Sequence, residues 1–154
     1  MEHEKFIGLS VKGHYKLEWD TRVSHQIYSF DGMSQDQFSE IYPAGLLVAM
    51  VRVQELDILL PKSHCLPLKE LWSNSYDHSK IIGLLEHLSK GNKVSPPFIA
   101  ISPHETEKIK LAIQGGTHRY SIAKDLGYET VPILIDPENK IQYEKHINLD
   151  YSGV

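Results

Sequence analysis

The sequence predicts an α+β domain in which helices pack on a small mixed sheet. Two observations support this class. Short apolar segments rich in β-branched residues recur along the chain and are bounded by turn residues. Between them lie segments with apolar residues at three- and four-residue spacing, which is typical of amphipathic helices. With 154 residues, 41% of them hydrophobic, the chain is long enough for one domain with a sizeable core.

The N-terminal part has the pattern of a β-rich region. Tyr15, Leu17 and Trp19 alternate with charged residues, as in a half-exposed strand. Residues 23–30 are a second candidate strand, and residues 34–42 predict a short helix that ends before Pro43. We therefore divide the chain into a β-rich N-terminal extension over residues 1–45 and a domain over residues 46–154, and we expect one globule.

The domain begins with a predicted strand over residues 46–60, with a break near Glu55. Asp77 is a plausible N-cap for a helix over residues 78–90, which Gly91 ends. Two strands come next, over residues 98–101 and 109–114, and a polar hairpin loop joins them. They are followed by a helix over residues 117–126, a strand over 131–135 and a short helix over 142–147. Pro132 places the third of these strands at a strand start or at a sheet edge.

Composition and charge narrow the function classes. A net charge of −4 provides no electrostatic attraction to DNA or to acidic membranes, and it favours a small substrate or a protein partner. The single cysteine excludes an intrachain disulfide and fits a reducing compartment. The longest apolar run, over residues 44–51, is too short to span a bilayer. We expect a soluble, cytoplasmic protein with no membrane partner.

The strongest functional signal is the Gly-Gly turn that opens the helix at residue 117. Backbone N–H groups at a helix start lack intrahelical acceptors and lie at the positive end of the helix dipole. His118 and Arg119 add cationic donors there. This pattern predicts a phosphate-binding turn. The same residues also suit a plain strand-to-helix turn, with Thr117 as N-cap and Arg119 in a surface ion pair.

Three segments, in this order, resemble the ParB/sulfiredoxin-like superfamily. The resemblance extends from about residue 51 to residue 134, a little over half of the chain, and its segments read DHSKI at residues 77–81, VSPPF at 94–98, and GGTHRY at 115–120 with ETVP at 129–132. The resemblance implies that His118 and Arg119 bind the phosphates of ATP or CTP. It also implies backbone donors from Gly115, Gly116 and Thr117, and it assigns Lys80 to the nucleotide site.

Two departures from the family limit what the resemblance implies. Thr117 stands where sulfiredoxins have their nucleophilic cysteine, and a threonine hydroxyl is no comparable nucleophile at neutral pH. We therefore do not expect repair of sulfinic acids. Residues 135–154 are too short for the DNA-binding and dimerisation domains that follow this module in partition proteins. We expect no role in chromosome segregation.

The leading hypothesis is an NTPase or phosphotransferase that uses ATP or CTP with Mg²⁺. Such chemistry needs a phosphate-binding turn, a bridging divalent metal and a carboxylate base. His118 and Arg119 are the candidate catalytic cations, and Glu55 or Asp77 is the candidate base, because spacing does not choose between them. The acceptor is an unidentified small molecule or protein.

Other functions remain open at this point. The chain is alternatively a non-catalytic ParB-like module that binds nucleotide or DNA, or a ParB-like DNase, although the acidic charge disfavours DNA. The nine histidines show no spacing typical of a metal site, so we expect no dedicated metal centre.

Overall fold

The computed structural model describes residues 2–30, 32–102 and 108–152. Four strands form one mixed sheet in the order β1-β4-β2-β3, namely β1 (Leu47–Arg52), β2 (Phe98–Ile101), β3 (Leu111–Gly115) and β4 (Thr130–Ile135). The pairs β1–β4 and β2–β3 are antiparallel, whereas β2 and β4 are parallel, with Phe98 opposite Leu134. This arrangement confirms the α+β class. The predicted hairpin loop over residues 102–108 falls mostly outside the described residues.

Helices surround this sheet. They are α1 (Gln35–Ile41), α2 (Val53–Asp57), α3 (Leu68–Trp72), α4 (Ser75–Ser89), α5 (Thr117–Asp125) and α6 (Lys140–His146). Single 3₁₀ turns or short 3₁₀ helices occupy His3–Phe6, Val23–Ser29, Lys62–His64 and Pro137–Asn139. In the part of the chain that the structure describes, no helix has the length and apolar character needed to cross a membrane.

The sheet buries both of its faces. Ile99 of β2 and Ile133 of β4 belong to the main core, which also contains buried residues of α4 and α5. Their neighbours Phe98 and Leu134 point to the opposite face, because successive side chains of a strand alternate. There they form a smaller core with residues of the N-terminal extension and the segment before β1, namely Phe38 and Leu46. The N-terminal extension thus covers one face of the sheet.

The prediction of a β-rich N-terminal extension is wrong for the described residues ahead of β1. Residues 23–29 form a 3₁₀ helix, and Trp19 makes a single bridge with Val94. Side chain–backbone hydrogen bonds replace a strand ladder. The buried Gln26 amide donates to the Leu46 carbonyl and accepts from the Leu46 N–H, both at 2.9 Å. Such side chain–backbone bonds stabilise compact turns at the expense of extended pairing.

Two boundaries in the domain also differ from the prediction. The segment predicted as strand over residues 46–60 is β1 followed directly by α2. Helix α4 begins at Ser75, and its N-cap is Asn74, whose side chain accepts from the Tyr76 N–H. Asp77 therefore lies inside the first turn of α4 rather than ahead of it.

Pro132 lies in an interior strand rather than at an edge. It faces Met50 of β1, and Met50 exchanges both of its backbone hydrogen bonds with Asp150, at 2.8 and 3.0 Å. Met50 therefore directs its backbone polar groups away from β4. On the other side of β4 the described pairing with β2 begins only at Leu134. A proline at this position removes no ladder hydrogen bond, which explains why an interior strand accepts it.

Several predicted elements are confirmed. Helix α1 begins with the capping box that Ser34 and Gln37 form, and strands β2, β3 and β4 and helix α5 lie within a few residues of their predicted positions. Local sequence signals determine each of these elements, which is why they were predictable.

The N-terminal extension is fixed to the domain beside the turn between β3 and α5. The Ser29 hydroxyl donates to the Pro96 carbonyl at 2.9 Å, and the Asp20 N–H donates to the Val94 carbonyl at 2.7 Å. The Ser29 carbonyl oxygen lies so close to Gly115 that a Cβ built there would be 2.2 Å away. Only glycine fits at this position, because the obstacle is backbone.

We predict that Gly115→Ala destabilises the fold by about 1–3 kcal/mol, since the added methyl group must push two backbone segments apart. A matched control is Gly83→Ala in α4, where a Cβ meets nothing within 4 Å. This control should raise stability by up to about 1 kcal/mol through helix propensity. Urea unfolding of the two variants measures both effects. Equal stability of the two variants would contradict the close packing of Ser29 on Gly115.

Candidate functional site

A cavity of about 780 Å³ lies in front of the N-terminus of α5. Its walls come from three directions: the N-terminal extension near residues 20–28, helix α4 with the segment after it, and the turn at Gly116. Lys80, Gly116, His118 and Arg119 all line it. Four of the residues predicted from the sequence therefore meet in one cavity.

The wall of this cavity is strongly cationic. Its lysine and arginine side chains are Arg22, Lys80, Lys93 and Arg119, and its histidines are His25, His87 and His118. Among the described residues, Asp20 is the sole carboxylate on the wall. The whole chain carries a net charge of −4, so this positive charge is local. A concave site with one sign of charge concentrates the field and attracts ligands of opposite charge.

The single acidic group of the wall is already neutralised. Both carboxylate oxygens of Asp20 accept from Arg22, at 2.9 and 2.8 Å, and His25 Nδ1 lies 2.6 Å from the same carboxylate. The hydrogen bonds from Arg22, and secondarily that from His25, hold the pKa of Asp20 well below its ordinary value. The Asp20 carboxylate is thus saturated by neighbouring donors and does not offset the other cations of the wall.

Gly116 sets the geometry of the helix start. It is the N-cap of α5 and has φ 108°, a left-handed conformation that favours glycine. A Cβ there would lie 2.7 Å from an Arg119 nitrogen and 2.8 Å from Pro97 Cβ. Thr117 is the first residue of the helix, so Gly116 rather than Thr117 takes the capping position. Gly116 itself lines the cavity, and the first N–H groups of α5 that follow it lack intrahelical acceptors.

Arg119 connects three segments at this turn. One terminal nitrogen donates to the Ser95 carbonyl at 2.5 Å, and the other is 3.4 Å from both the carbonyl and the hydroxyl oxygen of Ser29. These three acceptors are neutral oxygen atoms, and they hold the guanidinium at the cavity wall.

His118 pairs with Asp77 across the two helices α5 and α4. Its Nε2 donates to Asp77 Oδ1 at 2.7 Å, and the Asp77 side chain is largely buried. This bond fixes the ring orientation, and it directs Nε2 rather than Nδ1 to the carboxylate. The N-cap role predicted for Asp77 is wrong, because Asn74 is the N-cap, and the fold places Asp77 beside His118 of the first turn of α5.

Lys80 and Glu55 occupy different places. Lys80 lines the cavity, and its Nζ lies 4.9 Å from the centre of the Tyr76 ring. Glu55 borders a separate cavity of about 300 Å³. There it accepts from the Asn148 side chain at 3.3 Å. The structure therefore brings Lys80 and Asp77 to the turn at Gly116 and does not bring Glu55 there.

Sequence reasoning missed the part of the wall that the N-terminal extension supplies. Arg22, His25 and Tyr28 line the cavity, as do His87 and Lys93. One signal was present: an aspartate, an arginine and a histidine lie within six residues, over 20–25. Such a cluster is compatible with many solvated loops, so only the fold shows that it faces the Gly-Gly turn.

Comparison of the chain with protein-family models, with curated protein sequences and with solved structures gave no match. Across the described ranges, no group of three or more His, Cys, Asp or Glu side chains is arranged to hold a metal ion.

The Asp20 cluster generates a prediction on stability. The pKa of Asp20 is lower in the folded than in the unfolded chain. Ionised Asp20 therefore adds to the free energy of unfolding above its ordinary pKa near 4, and this contribution is lost as the pH falls toward the pKa of the folded chain. Asp20→Asn should lower the free energy of unfolding at pH 7 by about 1 kcal/mol, a modest value because Arg22 is exposed.

Urea unfolding of the wild type and of Asp20→Asn, between pH 7 and pH 3, tests this. The difference between the two should shrink below about pH 4. Glu40→Gln, at an exposed site in the last turn of α1, serves as the control and should show no such dependence. A difference that grows on acidification would contradict the assignment.

Proposed function

We propose that this chain binds the polyphosphate of a nucleoside triphosphate, ATP or CTP, in the cationic cavity at the start of α5. The observation that carries the proposal is the convergence of Lys80, His118 and Arg119 with the glycine turn, on a wall whose one described carboxylate is neutralised. Phosphates bind well where helix N–H groups and cationic side chains converge. The cavity volume is within the range of small-molecule sites.

The same observations support the proposal that the chain is ParB/sulfiredoxin-like. The three resembling segments lie around this one cavity: DHSKI in α4, VSPPF leading into β2, and GGTHRY at the β3–α5 turn. Proximity in the fold is what a shared nucleotide site requires of segments so far apart in sequence. Thr117, in place of a cysteine, excludes a thiolate mechanism from the proposal.

Mg²⁺ fits this site as part of the ligand. The described wall presents no carboxylate group able to coordinate a metal alone, since Asp20 is occupied by Arg22 and His25. Mg²⁺ is commonly held by substrate phosphates with few protein ligands. A metal ion would therefore be held by the triphosphate and would neutralise part of its charge, and Lys80 and Arg119 would bind phosphate oxygens.

Catalysis is the second half of the proposal, and the Asp77–His118 pair motivates it. With Nε2 donating to Asp77, His118 Nδ1 is able to accept a proton from an attacking water or an acceptor hydroxyl. The oxygen of that nucleophile then forms a bond to the terminal phosphorus while the bond to the leaving phosphate oxygen breaks. Asp77 acts through His118 as a positioning residue, and Glu55 has no part in this scheme.

Removal of one exposed cation tests binding. Lys80→Ala should weaken binding of MgATP or MgCTP about 5- to 10-fold, because one phosphate contact in a partly solvated site is lost. Lys69→Ala, an exposed lysine outside the cavity, is the control and should bind as the wild type does. Titration calorimetry across ATP, CTP, GTP and UTP measures this.

Two results would overturn the binding proposal. One is the absence of binding for all four triphosphates, and the other is an equal loss in Lys80→Ala and Lys69→Ala. Salt-dependent binding of duplex DNA that Lys80→Ala leaves unchanged would instead support the DNA-binding alternative.

Turnover has its own test. His118→Gln should lower the rate of phosphate release about 100-fold or more while binding persists, because the proton acceptor is lost. Asp77→Asn should lower the rate by less, since it disturbs only the orientation of the ring. His87→Gln, on the same wall with its Nε2 donating to the Lys93 carbonyl, is the matched control and should keep its rate. Tight binding without phosphate release by the wild type would assign the chain to non-catalytic binding.

A further inference from the structure

An exposed aromatic side chain borders the cationic cavity, and it comes from the N-terminal extension. Tyr28 lines the same cavity as His118 and Arg119, yet 69% of its surface is exposed. Its ring meets His25 at a steep angle of 60°, with ring centres 5.2 Å apart, so the two rings do not stack. A large aromatic group left in water beside a ligand cavity is a candidate contact surface for the ligand.

The segment that carries Tyr28 is held firmly. On one side of Tyr28, Gln26 is buried and exchanges two hydrogen bonds with Leu46. On the other side, the buried Ser29 donates to the Pro96 carbonyl and contacts Arg119. Ser95 Oγ also donates to the His25 carbonyl at 3.2 Å. The tyrosine is thus presented from a fixed backbone, and binding against it costs little additional ordering.

The size of the cavity also favours a ligand that is larger than a triphosphate. A triphosphate alone fills only a part of about 780 Å³, which is in the range that holds whole small-molecule ligands. His118 and Arg119 lie at the turn of Gly116, whereas Tyr28 belongs to the wall that the extension supplies, where the Arg22 charge is paired with Asp20. An aromatic face next to a polyphosphate site suits a nucleobase, because every base has a π-face that stacks on aromatic rings.

We propose that Tyr28 stacks on the base of the bound nucleotide, so that the N-terminal extension supplies the nucleoside half of the site. This inference rests on the proposed function and deepens it. The ligand class is then a nucleotide rather than an inorganic or inositol-like polyphosphate. Stacking tolerates both purines and pyrimidines, so ATP and CTP both gain from it.

The experiment compares ligands with and without a base. Titration calorimetry is run with MgATP, MgCTP and magnesium tripolyphosphate on the wild type, Tyr28→Ala and Tyr28→Phe. Tyr28→Ala should weaken binding of both nucleotides about tenfold and leave tripolyphosphate binding unchanged, and Tyr28→Phe should retain the wild-type affinities. Tyr28 is exposed, so its removal leaves the core intact.

Tyr76→Ala is the matched control, because Tyr76 is also 69% exposed but does not line the cavity. Tyr76 contacts Lys80, so any effect there should be equal for nucleotides and tripolyphosphate. Equal losses for all three ligands in Tyr28→Ala, or no loss, would overturn the stacking role while leaving the phosphate site in place. Failure of the wild type to bind any of the three would overturn the proposed function and this inference together.

Discussion

The carbonyl group of Ser29 lies where a side chain on Gly115 would have to go. This close approach of two backbones allows the N-terminal extension to reach the turn between β3 and α5. Arg119 then joins the same carbonyl to that of Ser95, so three segments far apart in sequence meet at one point. Without a glycine at 115, the extension could not close one side of the cavity, and the cations of that side would lie elsewhere.

The cationic cavity follows from this junction. Arg22 and His25 of the extension face Lys80 of α4 and His118 of α5 across it, and the one carboxylate on the described wall is bound by its own neighbours. Bringing the lysine and arginine side chains of the wall together costs free energy, and the Asp20 carboxylate offsets only part of this cost. The remaining positive charge is a structural reason to expect an anionic ligand.

Some residues of the cavity wall also hold the fold together, so a variant at such a residue changes stability as well as the wall. Arg119 holds backbone carbonyl groups and also lines the cavity, so its removal alters the fold as well as the site. Lys80 and Tyr28 are exposed and separate these effects. A further, partly buried network, in which Lys124 and Tyr120 donate to Asp57, fixes α5 to α2 away from the cavity.

The sequence by itself determined the elements whose signals are local. The capping box at Ser34, the glycine that ends α4 and the Gly-Gly turn before α5 each act within one turn of chain, so the helices and strands around them were predictable. The tertiary structure decided what depends on contacts over long separations. It placed Asp77 against His118 and Glu55 in another cavity, and it made residues 23–29 a 3₁₀ helix anchored by Gln26 instead of a strand. Alternating side chains form a strand only when a partner strand is in reach. Here Asp20 accepts from the nearby Arg22 N–H, and the Gln26 side chain bonds both backbone groups of Leu46, which lies far along the chain.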